Sequence, residues 1–351
     1  PANRQNYLGE MRRSKAAHTA GPGAVVDFRA GGGRGAPVSV VTAGLDEWIK
    51  QAHREGYELR RIREPRLQKL LNVSYFTLPP APVGNPWDEG IPKEKLTGVR
   101  FPRWLQCPEC HVLKSRREWA GDAGDAAPYC NHCSDDSQRV HVIPVRFILA
   151  CEHGHLDEFP WDWWVGHKDS CSGRGDLELR NPGGSAGLSG LVLRCRECGE
   201  SRSMVGCFGK DAFKGKIECA GRRPWLPDAD EECDQVPRAV LRGASNLYFP
   251  LVASAIDIPP WSDLLQKKLG PIWHRLRKLH KPEDRCNLLK LMGVSEDLEM
   301  SLNEICQAVA ERLGLVEEAT EESLRRDEYR SFTSTVRRPT RADDEFRVSH
   351  E

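Results

Sequence analysis

A chain of 351 residues with 39% hydrophobic content has room for two or three domains with cores of their own. Its 51 basic and 51 acidic residues cancel, so no whole-molecule charge points to nucleic acid or to a membrane surface. No apolar run approaches the roughly 20 residues that span a bilayer, and Pro1 to Glu10 holds neither a secretory apolar stretch nor an initiating Met.

Two β-branched runs, Ala24-Val25-Val26-Asp27-Phe28 and Val38-Ser39-Val40-Val41, flank Gly31-Gly32-Gly33-Arg34-Gly35 and predict a β-hairpin with a flexible tip. The glycines do not read as a phosphate loop, because no Gly-Lys-Ser/Thr follows and no helix opens there. Leu45 to Ala52 and Pro65 to Val73 read as short helices, and the Pro- and Gly-rich stretch 79–97 reads as a linker. From Arg100 to about Arg242 the chain is rich in Cys, Trp and Gly, with strand-like pieces at Val140–Ala150 and Leu191–Arg194. Metal sites are expected to stand in for a large apolar core in this part.

After Pro259-Pro260 the pattern turns helical. Ser262 is the expected N-cap of a segment broken at Gly270-Pro271, and Ile272 to Lys281 reads as a basic helix. A longer helix is expected from Ser295, with Leu298, Leu302, Ile305, Val309 and Leu313 on one face and Gly314 as its stop. The charged tail from Glu317 to Glu351 is expected to be partly mobile. The fold class is therefore α+β, with small β modules of zinc-ribbon type followed by a helical C-terminal segment. Four segments are expected: 1–99, α/β with the hairpin and linker; 100–150, a zinc-ribbon-like module; 151–258, a second module rich in Cys and Trp; and 259–351, helical with a charged tail.

The strongest chemical signal is a pair of Cys-x-x-Cys steps, Cys107/Cys110 and Cys130/Cys133, separated by nineteen residues. A two-residue gap lets both thiolates of a knuckle reach one ion, and two knuckles close a tetrahedral shell of structural type. A second zinc set is expected at Cys195-Arg-Glu-Cys198, completed by Cys219 and Cys233, with Cys207 as an alternative to either of the last two. Gly199 suits the tight turn because it takes positive φ at little cost. A possible third site comprises Cys151, His155, His167 and Cys171; the alternative is that His153 and His155 pack or cap in a Trp-rich region. Cys286 and Cys306 fall in helical segments and read as small core residues. Thirteen Cys, an odd number with three Cys-x-x-Cys steps, argue for zinc in a reducing cytoplasm over a disulfide framework.

No Walker A sequence, Gly-x-Ser-x-Gly or His-Glu-x-x-His occurs. His141, His153, His155, Asp157 and Glu158 make a weaker case for a metal-dependent nuclease, which would need an open metal position. Basic residues cluster beside the Cys steps, and Arg116, Arg117, Arg196, Arg202, Arg222 and Arg223 are the candidates for contact with DNA phosphates. Trp104, Trp119 and Trp225 are interleaved with them and suit stacking on unpaired bases, or a place in the core. Trp161, Trp163 and Trp164 are dense enough to suggest an interface.

Several stretches, taken in series over residues 12–250, resemble the DrmB subunits of bacterial DISARM anti-phage systems. They are Arg12-Arg13-Ser14, Gly21-Pro22-Gly23-Ala24-Val25-Val26-Asp27, Ala43-Gly44-Leu45-Asp46-Glu47-Trp48, Arg100-Phe101-Pro102-Arg103-Trp104, Arg146-Phe147, Cys219-Ala220-Gly221-Arg222-Arg223-Pro224-Trp225 and Arg242-Gly243-Ala244-Ser245-Asn246-Leu247-Tyr248-Phe249-Pro250. Lys15 departs from the Gln of the pattern, and such subunits are much longer, so the resemblance covers their N-terminal portion. It implies a non-catalytic partner of a superfamily-2 helicase-like subunit of DrmA type, within a DNA-binding complex where ATP hydrolysis belongs to that partner. A stand-alone zinc-ribbon DNA-binding regulator is the other non-enzymatic reading. No membrane association is expected.

Overall fold

A computed structural model of the protein describes residues 8–29, 36–62, 64–80, 95–121, 127–135, 137–173, 175–183, 187–226, 230–258, 264–298, 300–314 and 320–333. The chain forms two compact units, Pro1–Leu59 with Pro79–Pro250, and Arg60–Leu78 with Leu251–Glu351. Residues 100–250 thus share one unit, while residues 251–258 and a short insertion from the first hundred residues belong with the C-terminal part.

In the larger unit the expected hairpin forms from Val25–Arg29 and Pro37–Thr42, with Val25 opposite Val41, and Gly98–Arg100 adds a third strand. The Gly-rich tip and most of the linker lie outside the described residues. Pro37–Thr42 is buried along almost its whole length because it is the middle strand. The helix Leu45–Glu55 carries Asp46 and Glu47 in its first turn and His53 and Arg54 in its last, as the helix dipole favours, and stops at Gly56.

A six-stranded antiparallel sheet is the frame of the unit. Its order is Ser201–Ser203, Val192–Cys195, Leu177–Arg180, Val112–Ser115, Trp104–Gln106 and Ile143–Pro144. The strand-like piece 140–150 splits here: Ile143–Pro144 joins this sheet, and Phe147–Ala150 is the middle of a separate three-stranded sheet between Leu156–Glu158 and Arg238–Leu241.

Between these sheets lies an aromatic core. Phe147, Phe159, Trp161, Trp164 and Phe213 are buried together, and the Phe159 and Trp161 rings approach to 4.6 Å. Trp161 and Trp164 sit on the short helix Trp161–Val165, and Trp163 packs against the same core. The Trp-rich strip is therefore core and not an interface. Leu113, Val145, Leu149, Leu177, Leu179 and Leu193 are buried with them, so this unit has a mixed aromatic and aliphatic core beside its Cys residues, where metal sites were expected to stand in for one.

The smaller unit is helical. Leu264–Leu269, the 3-10 turn Gly270–Ile272 and the short helix Trp273–Leu276 follow one another, so the break at Gly270-Pro271 is a tightening and the basic helix is shorter than expected. Ser262 lies outside the described residues. The helix expected from Ser295 is two helices, Val294–Leu298 and Leu302–Gly314. Ser301 causes the restart: its hydroxyl accepts from the Glu304 N–H, and Glu304 accepts from the Ser301 N–H at 3.0 Å, which is a capping box. Ile305 and Val309 bury one face against Leu269, Leu276 and Leu289.

Two helices of the smaller unit have no counterpart in the sequence reading. Pro282–Leu291 starts on a proline with Glu283 and Asp284 in its first turn. Glu321–Thr333 occupies the front of the charged tail, where Glu328 is buried and accepts from the Ile256 N–H at 2.8 Å. Residues 334–351 lie outside the described set. Cys286 and Cys306 are not separate core thiols; they are joined as a disulfide between Pro282–Leu291 and Leu302–Gly314.

Candidate metal centres

Three turns in the larger unit share one backbone device. In each, the amide four residues after a Cys returns to that Cys carbonyl: His111 to Cys107 at 3.1 Å, Ser134 to Cys130 at 3.0 Å and Gly199 to Cys195 at 3.1 Å. The loop so closed points both thiols of a Cys-x-x-Cys step to the same side. At two of the turns the residue after the second Cys has positive φ, +62° for His111 and +76° for Gly199. Glycine takes that conformation freely; at His111 the knuckle imposes it on a side chain.

Cys107, Cys110, Cys130 and Cys133 come together as the sequence suggests, with the Cys110 and Cys130 sulfurs 3.8 Å apart. Cys107 ends the strand Trp104–Gln106 and the knuckle returns into Val112–Ser115, so the sheet itself holds half of this cluster. Leu105 and Val142 pack beneath it.

The remaining ligand candidates group differently from the expected sets. His167 and Cys171 join Cys195 and Cys198, while Cys151 and His155 join Cys219 and Cys233. Strand register is the reason. Leu177 pairs with Cys195, so the residues entering that strand, His167 to Cys171, reach the Cys195 knuckle. Ala150 pairs with Arg238, so Cys151 just beyond one strand meets Cys233 just before the other. The set Cys195, Cys198, Cys219 and Cys233 is therefore divided, and so is the set Cys151, His155, His167 and Cys171.

In the 151/155/219/233 cluster His155 Nδ1 lies 3.2 Å from Cys151 Sγ and 3.5 Å from Cys219 Sγ, and Cys151 and Cys233 are 4.0 Å apart. Its Nε2 lies 2.7 Å from Glu231 Oε1. In the 167/171/195/198 cluster His167 Nδ1 lies 3.3 Å from Cys171 Sγ and 3.8 Å from Cys198 Sγ, with Cys171 and Cys195 3.9 Å apart. Both imidazoles thus turn Nδ1 to the sulfurs. Each of the three clusters could hold a metal ion.

Burial makes three of these thiols, Cys107, Cys133 and Cys219, poor acids, while Cys130 is lowered, against its burial, by its hydrogen bonds. Burial, reinforced by the neighbouring sulfurs, pushes Cys133 up to about 12 and, against a hydrogen bond from the Gly221 N–H, Cys219 up to about 12. Cys198 runs the other way: backbone donation from Lys168 outweighs its burial and brings it down to about 6. Glu231 is held down at about 2 by Arg223 first and His155 second.

Cys207 is buried among the aromatic residues, outside every metal-capable group of the described residues, and burial raises its thiol to about 11. Of the nuclease candidates, His155, Asp157 and Glu158 line one pocket, but the five do not form a metal-capable group. His141 Nδ1 lies 3.2 Å from the Ala127 carbonyl, His155 is among thiols, and Asp157 pairs with Arg222 at 3.0 Å. Glu158 accepts from the Arg103 N–H at 2.6 Å, and His153 lies beside Cys233 and Asp234. Among the described residues no metal-capable group includes Asp157 or Glu158.

Of the arginines, Arg222 and Arg223 pair with Asp157 and Glu231, Arg196 pairs with Glu178, and Arg202 lies over the Trp164 ring at 3.9 Å. Arg117 is exposed on the 3-10 turn Arg116–Glu118, and Arg116 beside it is half-buried. No helix among the described residues is long and apolar enough to cross a membrane.

These clusters lie within a stretch that known proteins share. The chain is 30% identical over 204 residues to the DISARM protein DrmB of Bacillus paralicheniformis, a match covering 57% of this chain and 34% of the relative. It thus spans about a third of the length of that curated relative, and the similarity marks a DrmB-like protein. The family model described as Domain of unknown function (DUF8724) matches residues 12–249, which include all three clusters. Since that match takes in well over half of the sequence, the chain belongs to the DUF8724 family.

Proposed function

We propose that this chain is a zinc-stabilised, non-catalytic accessory subunit of a DISARM-type anti-phage complex, which docks on a superfamily-2 helicase-like subunit of DrmA type and assists DNA binding in the cytoplasm. The likeness to a DrmB protein supports the setting.

The observation that carries the metal reading is the spacing of the donors. Tetrahedral zinc with bonds of about 2.3 Å to sulfur places two sulfurs about 3.8 Å apart. The sulfur pairs here stand at 3.8, 4.0 and 3.9 Å. One Cys₄ and two Cys₃His sets, each with four protein donors, match closed structural zinc and leave no position for a reacting water. In isolated zinc-binding peptides such a site contributes on the order of 10–16 kcal/mol, which would add to the apolar core of this unit.

DNA contact rests on the exposed arginines around the clusters. Arg222 is held by one carboxylate, Asp157, in a half-exposed ion pair. Such pairs are worth about 0–1 kcal/mol, so a phosphate can compete for the guanidinium. For the helicase-like partner, the smaller unit offers the exposed side chains Leu291, Met292, Tyr329 and Phe332 on its helices.

The test has three arms. Freshly purified full chain should carry about three zinc ions, co-purify with the helicase-like subunit, and bind DNA weakly with no sequence preference. Zinc-free, folded protein would overturn the metal reading. Cleavage of DNA by the chain alone would overturn the accessory role, and sequence-specific binding without the partner would favour a stand-alone regulator.

A further inference from the structure

The two histidine-containing clusters are alike on the sulfur side and unlike behind the ring. His155 is 2% exposed, and its Nε2 meets Glu231 Oε1 at 2.7 Å. The same carboxylate oxygen receives Arg223 Nη2 at 2.7 Å. His167 lacks this support: its Nε2 is buried without a hydrogen-bond partner, and the carboxylate of Asp162 stands off at 3.6 Å.

We propose that Glu231 is the positioning residue of the 151/155/219/233 cluster: it fixes His155 with its proton on Nε2 and Nδ1 toward the ion, while Arg223 holds the carboxylate in place. The inference deepens the zinc reading and rests on it.

A neutral imidazole ligates through one nitrogen and carries its proton on the other, and the acceptor at the far nitrogen decides which. A carboxylate there also makes the ring a stronger ligand. Glu231 reaches this place by backbone means, because its N–H donates to the Gly221 carbonyl at 3.2 Å, two residues after Cys219. The loop that brings two of the thiols therefore brings the orienting carboxylate with them. Without it, the Nε2–H of a ring buried on all sides would lose its acceptor, and the Nδ1–H tautomer, which cannot ligate through the nitrogen facing the sulfurs, would gain population.

Zinc-loaded full-length protein is titrated with a chromophoric chelator, with Cys151→Ser identifying which ion belongs to this cluster. Glu231→Ala should release that ion at about 10–100-fold lower chelator concentration, with the other two ions unaffected. Glu231→Gln retains a neutral acceptor and should recover most of the loss. Asp162→Asn, beside His167, should leave all three ions as in the wild type. Long-range ¹H–¹⁵N spectra should find His155 in the Nε2–H tautomer in the wild type, with the Nε2–H proton resonance moved upfield in Glu231→Gln, a readout of the carboxylate contact that a merely structural role would not move. Release from Glu231→Ala as slow as from the wild type, or a wild-type His155 protonated on Nδ1, would overturn the proposal. Should the alanine variant fail to fold, the glutamine variant and the wild-type spectrum still decide. Unchanged zinc content in Cys151→Ser would overturn the metal reading at this cluster and the positioning role with it; a loaded cluster indifferent to Glu231→Ala overturns the role alone.

Discussion

Gly221 approaches the backbone carbonyl of Glu231 so closely that a Cβ on Gly221 would collide with it. Gly221 also has φ of +65°, a conformation that costs other residues about 1–3 kcal/mol. Both constraints fall on the loop between Cys219 and Cys233.

Gly221→Ala should therefore lose more than 2 kcal/mol, since the backbone strain and the collision add. The expected result is a lower denaturation midpoint, together with loss of the ion at the 151/155/219/233 cluster. A variant as stable as the wild type and fully loaded would show that this loop relaxes without harm.

Cys195 and Cys219 belong to different clusters. Cys195→Ser and Cys219→Ser should each lower the zinc content by about one ion, and the double variant by about two. A double variant that loses only one would restore the grouping of Cys195, Cys198, Cys219 and Cys233 around a single ion. Elemental analysis of the three purified variants decides between them.

Burial raises the Glu158 carboxyl to about 7, helped by the nearby charge of Asp157, despite the hydrogen bond from Arg103. A folded-state pKa above the unfolded one means the native chain holds the extra proton. The resulting stability is full below about pH 4.5 and is lost as pH rises to about 7. Discounted for partial solvent screening, Glu158→Gln should gain roughly 1–2 kcal/mol over the wild type at pH 8 and nothing at pH 4. Chemical denaturation of both proteins across that range checks the sign.

Trp161 is 1% exposed and touches Trp104, Phe147 and Phe159. Trp161→Ala should cost about 3–5 kcal/mol. A surface-docking residue would leave stability unchanged and weaken only the partner, so a denaturation curve separates the two roles.

How much of this could be read from residues alone depended on range. Cys107, Cys110, Cys130 and Cys133 were legible because each knuckle is closed by its own backbone within five residues. The other clusters were legible in membership and not in grouping. Cys171 meets Cys195 only because Leu177 pairs with Cys195, and Cys151 meets Cys233 only because Ala150 pairs with Arg238. Register between distant strands is not written in local spacing. Two matching half-sites, Cys151-x-x-x-His155 and His167-x-x-x-Cys171, were a signal that each needed its own complement.

The misses in the helical part differ in kind. Ser301-Leu-Asn-Glu304 is a local capping signal that overrides the longer apolar stripe. Helix Glu321–Thr333 hides behind its charge, because only Leu324 and Glu328 are buried along it. Glu231 had no signal at all, since its role depends on the tertiary path that sets it against His155.

The six-stranded sheet ends in two very short edges, Ser201–Ser203 on one side and Ile143–Pro144 on the other. Pro144 cannot donate to a further strand, so that border is closed to newcomers. The opposite border is guarded only by three polar residues laid along Val192–Cys195, whose last member sits in a cluster with His167, Cys171 and Cys198. Were the proposed ion removed from that cluster, the knuckle that turns Val192–Cys195 back toward its guard would be freed. An apolar strand would then lie open to the backbone of a second chain. Zinc starvation of this protein should therefore register as concentration-dependent self-association before it registers as unfolding, and the cell would meet it as a solubility problem.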